Sequence, residues 1–301
     1  MKHTRMLDLY GHAMSEADGK ALIEAVRLSE GRSLASEIIA PAPPLFRGLS
    51  NTELASAFGA DLLILNMYDV DQPQLNGFES HGPSHLLKEI SQLTNRMVAI
   101  NLEPIPKETT SSFQAIEKGR TATAKNAVKA YEQGAQMIVL TGNPSTGVTN
   151  VAIIDALKAI KKALGDKVAL VAGKMHSAGT PEVGEGIIDE KAIDAFIDHG
   201  ADFVMLPAPG TIPGISEEMT RGWVKRIHEK DALAMSAVGT SQEGSDSATL
   251  KTIALSSKRA GFDLHHLGDA GFNGIAVPEN IKDYSIVIRG IRHTYRRMAK
   301  R

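Results

Sequence analysis

Four times along its 301 residues the chain repeats one phrase: FGADLLIL from Phe58, QGAQMIVL from Gln133, HGADFVML from His199 and AGFDLHHL from Ala260. Each follows a helix-like stretch and opens an apolar run. Gly59, Gly134, Gly200 and Gly261 mark where the helix stops, because glycine accepts the left-handed backbone found at helix C-termini. Successive glycines lie 75, 66 and 61 residues apart. That is too long for one strand–helix unit and suits two.

Four more apolar runs fill the gaps: LASEII (34–39), RMVAINL (96–102), KVALVAG (167–173) and ALAMSAV (232–238). All eight runs are short and mostly continuous rather than alternating, as in a parallel sheet covered on both faces. Amphipathic helical patterns separate them, such as NVAIIDALKAIKKAL (150–164) and DEKAIDAFIDH (189–199), with start signals at Asp189 and Ser216. The count predicts a single (β/α)8 TIM barrel, class α/β, with an extra N-terminal helix at about 15–30 closing its lower end. No linker interrupts the pattern, so residues 1–301 read as one domain: a helical extension over 1–32 and the barrel over 33–301.

Composition removes several function classes. There is no cysteine, so thiolate nucleophiles, disulfides and cysteine-held metals are excluded. The net charge is -2 and no apolar run reaches a membrane-spanning length. The expectation is a cytoplasmic protein that binds neither nucleic acid nor membrane, takes a small anionic molecule as substrate and forms a homo-oligomer. The basic run RGIRHTYRRMAKR (289–301) reads as a solvated last helix.

Barrel chemistry sits where strands end. The first three strand ends offer Glu37, then Asn66 with Asp69, then Asn101 and Glu103. Glu37, Asp69 and Glu103 could hold Mg²⁺ or another divalent cation, or act as general acid and base, whereas Asp69 and Asp71 could simply cap a long loop. Thr141 and Asn143 after the fourth strand are candidate substrate contacts. Lys174 and His176 follow the fifth. A lysine buried there suits a Schiff base or a proton transfer, with His176, Glu103 or Glu37 moving protons; a lysine snorkelling to solvent is the plain alternative. After strands seven and eight, Gly239, Thr240, Ser241, Gly268, Ala270 and Gly271 are small enough to let a phosphate reach the backbone, although Glu243 and Asp269 would oppose it. One of His265 and His266 must face the barrel, and His265 is taken as a substrate contact. These groups point to a metabolic enzyme on a phosphorylated carbonyl compound such as a sugar phosphate, of the lyase or aldolase kind. An isomerase or epimerase, or a silent metabolite-binding barrel, would use the same top.

Two resemblances bear on this. LLILNMYDVDQ, MIVLTGN and LGDAGFNGIAV resemble the three signatures of haloacid-dehalogenase-type phosphatases. That family would make Asp69 a nucleophile, Asp71 a general acid, and Asp69 with Asp269 a Mg²⁺ site. Gln72 and Pro73 after the D-x-D, and Asn273 with Gly274 in place of a second acid, depart from it. GADLLILN, VAINLEP and GAQMIVLTG resemble instead the BtpA-like bacterial barrels, over about a quarter of the chain. This implies a barrel in a bacterial cytoplasm and supplies no catalytic residue.

Overall fold

A computed structural model describes residues 4–106, 115–177 and 187–300. Eight parallel strands close into a barrel in chain order: β1 (Ser33–Ile39), β2 (Leu62–Asn66), β3 (Met97–Leu102), β4 (Met137–Leu140), β5 (Ala169–Gly173), β6 (Phe203–Pro207), β7 (Leu233–Val238) and β8 (Leu264–Leu267). Two short helices precede β1, α1 (His12–Ser15) and α2 (Gly19–Arg27). Between the strands run α3 (Asn51–Ala57), α4 (Leu86–Thr94), α5 (Ala124–Gln133), α6 (Asn150–Leu164), α7 (Glu190–Asp198), α8 (Glu217–Glu229) and α9 (Ser247–Ala260), and α10 (Pro278–Ala299) ends the fold. The predicted TIM barrel is the fold observed. A closed parallel barrel has no place for the phosphatase architecture, and that reading falls with it.

The repeated phrase has a physical purpose. Its glycines take the expected positive φ, from 100° to 113°. Its fourth residue then clasps the preceding odd strand at two points. Asp61 donates its backbone N–H to Leu34 O and accepts Leu34 N–H on its carboxylate, both at 2.8 Å. Gln136 does the same to Val98 (2.9 and 3.0 Å), Asp202 to Leu170 (2.9 and 2.8 Å) and Asp263 to Ala234 (3.0 and 2.8 Å). Each side chain satisfies a buried strand N–H that would otherwise be costly to leave unpaired. Because the clasp joins an odd strand to the next even one, the phrase recurs every second unit.

The clasp also sets the register of side chains. The residues directly after it, Leu62, Met137, Phe203 and Leu264, fill the barrel interior together with Ala35, Ile64, Ala99, Val139, Val171, Met205 and Met235. Residues of opposite parity, such as Leu63, Ile100 and Leu170, pack under the helices. Starts at Asp189 and Ser216 are as expected: each side chain accepts the N–H three residues on.

Two expectations change at the lower end. The N-terminal helix is shorter than expected, running Gly19–Arg27, because Asp18 caps its start by accepting the Ala21 N–H (2.8 Å). Met6, Leu9, Met14, Leu22 and Val26 then plug the barrel floor. The basic C-terminal run is not simply solvated. Helix α10 breaks at Gly290 (φ 76°), and Arg289 and Arg297 turn inward onto the buried Asp61 carboxylate at 2.5 and 2.6 Å.

Candidate active site

At the opposite end, strand alternation lifts Glu37, Asn66, Asn101 and Thr141 onto the inner face, above the apolar floor. They line a cavity of about 420 Å³ together with Asn143, Met175, His176, Ser177, Gly239–Ser241, Glu243 and Gly268–Ala270. Its polar groups form a connected set. Asn66 and Asn143 exchange amide hydrogen bonds (2.8 and 3.0 Å), Asn101 donates to Asn66 Oδ1 (3.2 Å), and Asn66 Nδ2 donates to Asp269 (2.8 Å). Beneath this layer, His266 Nε2 lies 3.0 Å from Glu37 Oε2. With that nitrogen given to the carboxylate, Nδ1 becomes an acceptor, and it is buried with no hydrogen-bond partner among the described residues.

The carboxyls are far from ordinary. Burial, reinforced by the charge of Glu37, pushes Asp269 up to about 7; the Asn66 hydrogen bond opposes this only in part. Burial also raises Glu243, whose bonds from backbone N–H groups pull the other way. His176 is pushed down, first by burial and then by the positive charge of Lys174, against the pull of Glu37 and Glu103, so it stays neutral at pH 7. Asp269 is thus a carboxyl that can take or give a proton near neutrality, in a cavity.

Several sequence expectations need correction. His265 points away from the barrel: its Nε2 faces Gly31 O at 3.2 Å, and its Nδ1 lies 3.0 Å from the Tyr284 hydroxyl and 3.2 Å from Ser236 Oγ. Its inward neighbour His266 takes the place expected of it. Glu103 is spent on structure, since Arg120 (2.6 Å) and the Asn143 N–H (3.0 Å) each hold one of its oxygens, so it positions Asn143. Asp69 lies in a separate recess with Arg120 and Glu117, where its Oδ1 accepts the N–H groups of Asp71 and Gln72. It is a turn cap, and Asp71 is paired with Lys129. Glu37, Asp69 and Glu103 therefore do not converge as metal ligands, and among the described residues no three His, Asp or Glu side chains form such a set.

Lys174 is buried at the end of β5 but is not part of the cavity wall. Lys174 follows Gly173, the last residue of β5, while Met175, His176 and Ser177 beyond it reach the cavity. The residues expected to cradle a phosphate, Gly239, Thr240, Ser241, Gly268 and Ala270, do line the cavity, but an acid already occupies part of that wall. Ala270 N–H donates to Glu243 Oε1 at 3.0 Å. A Cβ on Gly268 would lie 2.7 Å from that oxygen, and one on Gly271 would lie 2.8 Å from Ala276 Cα. One on Gly239 would lie 2.0 Å from Met175 Sδ. Gly268 thus lets its loop close on the Glu243 carboxylate, and Thr240 turns its hydroxyl to Thr211 O. The sequence reading held Glu243 and Asp269 to be obstacles; they are instead the walls of the site.

The model of the family described as Domain of unknown function (DUF7916) matches residues 7–301, so the chain belongs to that family. None of the curated proteins matches it. Among solved structures, one similar barrel is an archaeal fructose-1,6-bisphosphate aldolase with its catalytic lysine covalently bound to the carbinolamine intermediate of the substrate. It shows 13% identity, a TM-score of 0.57, and coverage of 87% of this chain and 95% of that one. A second archaeal fructose 1,6-bisphosphate aldolase gives 12%, 0.54, 86% and 94%. A 2,3-dimethylmalate lyase of the PEP mutase/isocitrate lyase superfamily gives 16%, 0.50, 84% and 80%. At these identities the likeness is one of fold.

Proposed function

We propose that this member of the family is an acid–base enzyme that cleaves or forms a carbon–carbon bond beside the carbonyl of a small polar compound, an aldol-type lyase. The observation that carries the reading is Asp269, a half-buried carboxyl in the cavity at the strand-end face of the barrel, with its proton affinity set near neutrality. In the cleavage direction the Asp269 carboxylate takes the proton from the hydroxyl β to the carbonyl. The carbon–carbon electrons move onto the carbonyl, which releases an aldehyde and leaves an enolate. The carboxyl then returns its proton to the enolate carbon, so atoms and charge balance without an oxidant or a second reactant.

The pair formed by Glu37 and His266 and the amide layer of Asn66, Asn101 and Asn143 would orient the reacting oxygens. A lysine Schiff base is not invoked, because Lys174 is absent from the cavity wall. A phosphate is not invoked either, because Glu243 holds the N–H that would meet it. Two structures sharing the barrel are described as aldolases and one as a lyase, which agrees with the reaction class. The phrases shared with BtpA-like barrels add the fold to this reading and nothing about the reaction.

The test is hydrogen exchange in D₂O, followed by proton NMR, over a panel of hydroxycarbonyl compounds. The wild type should wash out the C–H signal beside the carbonyl of its substrate and release an aldehyde, with a rate that changes across about pH 7. Asp269→Asn should lower that rate by roughly 10²–10⁴-fold, the usual worth of a positioned acid or base. Exchange that persists unchanged in Asp269→Asn would sink the assignment.

A further inference from the structure

We propose that the cavity binds an ammonium group between Glu37, Glu243, Asp269 and Asn101, so that the substrate is an amino-substituted hydroxycarbonyl compound. The carbonyl part rests on the function proposed above, whereas the ammonium part stands on the wall itself.

Among the described residues, two buried acceptors of that wall lack a donor. Glu243 is fully buried and its Oε2 has no hydrogen-bond partner among the described residues; Asn101 is 2% exposed and its Oδ1 has none either. Both residues line the cavity, and both orphaned atoms are acceptors. Buried acceptors left unpaired are costly, and native proteins rarely keep them without a use. Glu37, Glu243 and Asp269 are near enough for the charge of Glu37 to act on both of the others and that of Glu243 to act on Asp269. Lys174 makes itself felt at His176, and no Lys or Arg stands among the described lining residues. A phosphate or carboxylate would bring more acceptors to this wall, and a hydroxyl would bring one donor. An ammonium brings three donors and the missing charge. A divalent cation is the rival occupant of such an acidic wall, and it is one arm of the test below.

Matched pairs test this: D-glucosamine against D-glucose and 2-amino-1,3-propanediol against glycerol, with inorganic phosphate and MgCl₂ as separate arms. Isothermal titration at pH 7 and low salt, where both amines carry their proton, should show the amino member of a pair binding about ten- to a hundredfold more tightly, the worth of a charged hydrogen bond. Glu243→Gln should abolish that preference. Titrating the wild type at pH 7 in buffers of different ionisation enthalpy should show proton release, because the cation favours ionised Asp269. Equal binding within both pairs, no binding by either amine, a preference for phosphate, or binding of Mg²⁺ alone would each overturn the proposal. If Glu243→Gln does not fold, the wild-type pairs decide. Selective amine binding without C–H exchange would remove the lyase reading and leave this one, and exchange supported only by nitrogen-free compounds would do the reverse.

Discussion

Replacing Asp269 with asparagine should make the protein more stable and less useful. The carboxyl rises from an ordinary 3.8 to about 7 in the folded chain, mainly through burial. Between those two values the folded state holds a proton that the unfolded state has released, so stability falls as pH rises through that window and levels off above it. At 1.36 kcal/mol per pH unit, the penalty at pH 8.5 is on the order of 4 kcal/mol. Asparagine carries no charge and still offers an oxygen to Asn66 Nδ2, which lies 2.8 Å from Asp269. The Asp269→Asn midpoint in a thermal melt at pH 8.5 should therefore exceed the wild-type value by roughly 5–10 °C, at about 2 °C per kcal/mol for a chain of this size. At pH 4, where both forms are neutral at this position, the two melts should coincide. A stability gain bought with lost turnover is the mark of a strained functional group. A variant less stable than the wild type at pH 8.5, or a gap of equal size at both pH values, would refute the reasoning.

Other outcomes follow from other parts of the molecule. Asp61→Ala leaves Arg289 and Arg297 buried without their carboxylate and should cost about 3–5 kcal/mol in denaturant unfolding; limited proteolysis should then release the N-terminal segment that Arg297 ties down through Leu9 O. His265 is buried and pushed down to about 3, so its stabilising neutral form is lost as pH falls from about 6.5 toward 3. His265→Gln should flatten the wild-type loss of thermal midpoint between pH 7 and 4.5 and leave hydrogen exchange into substrate unchanged, whereas His266→Gln should impair exchange. Sodium borohydride added with the carbonyl panel should leave the mass of the Lys174 peptide unaltered, and a reduced adduct there would restore the Schiff-base mechanism.

The barrel was legible because strand-forming runs and glycine stops are local signals. Which side chain faces the cavity is not local, because it depends on parity, and parity depends on what the strand is tied to. Yet the tie is written in the repeated phrase. In all four copies the residue after the acid or amide points inward, at Leu62, Met137, Phe203 and Leu264. Counting by twos from these gives Asn66, Thr141 and His266, each on the inner side, and passes over His265. Counting from the clasped partner Leu34 puts an outer position at Ser36 and so leaves Glu37 inside, whereas β5 ends at Gly173 and no count reaches Lys174. The orientation of His265 was therefore decidable from the phrase once its fourth residue is understood as a hydrogen-bonding clasp rather than as a polar accident before a strand. Glu243 and Asp269 lie beyond any such count, since they sit on loops. For them the signal was chemical: acids placed among small residues must displace an anion from the backbone or be held by it. Here the Ala270 N–H holds Glu243, and the same exclusion of solvent that makes Asp269 costly to ionise makes it able to move a proton at neutral pH.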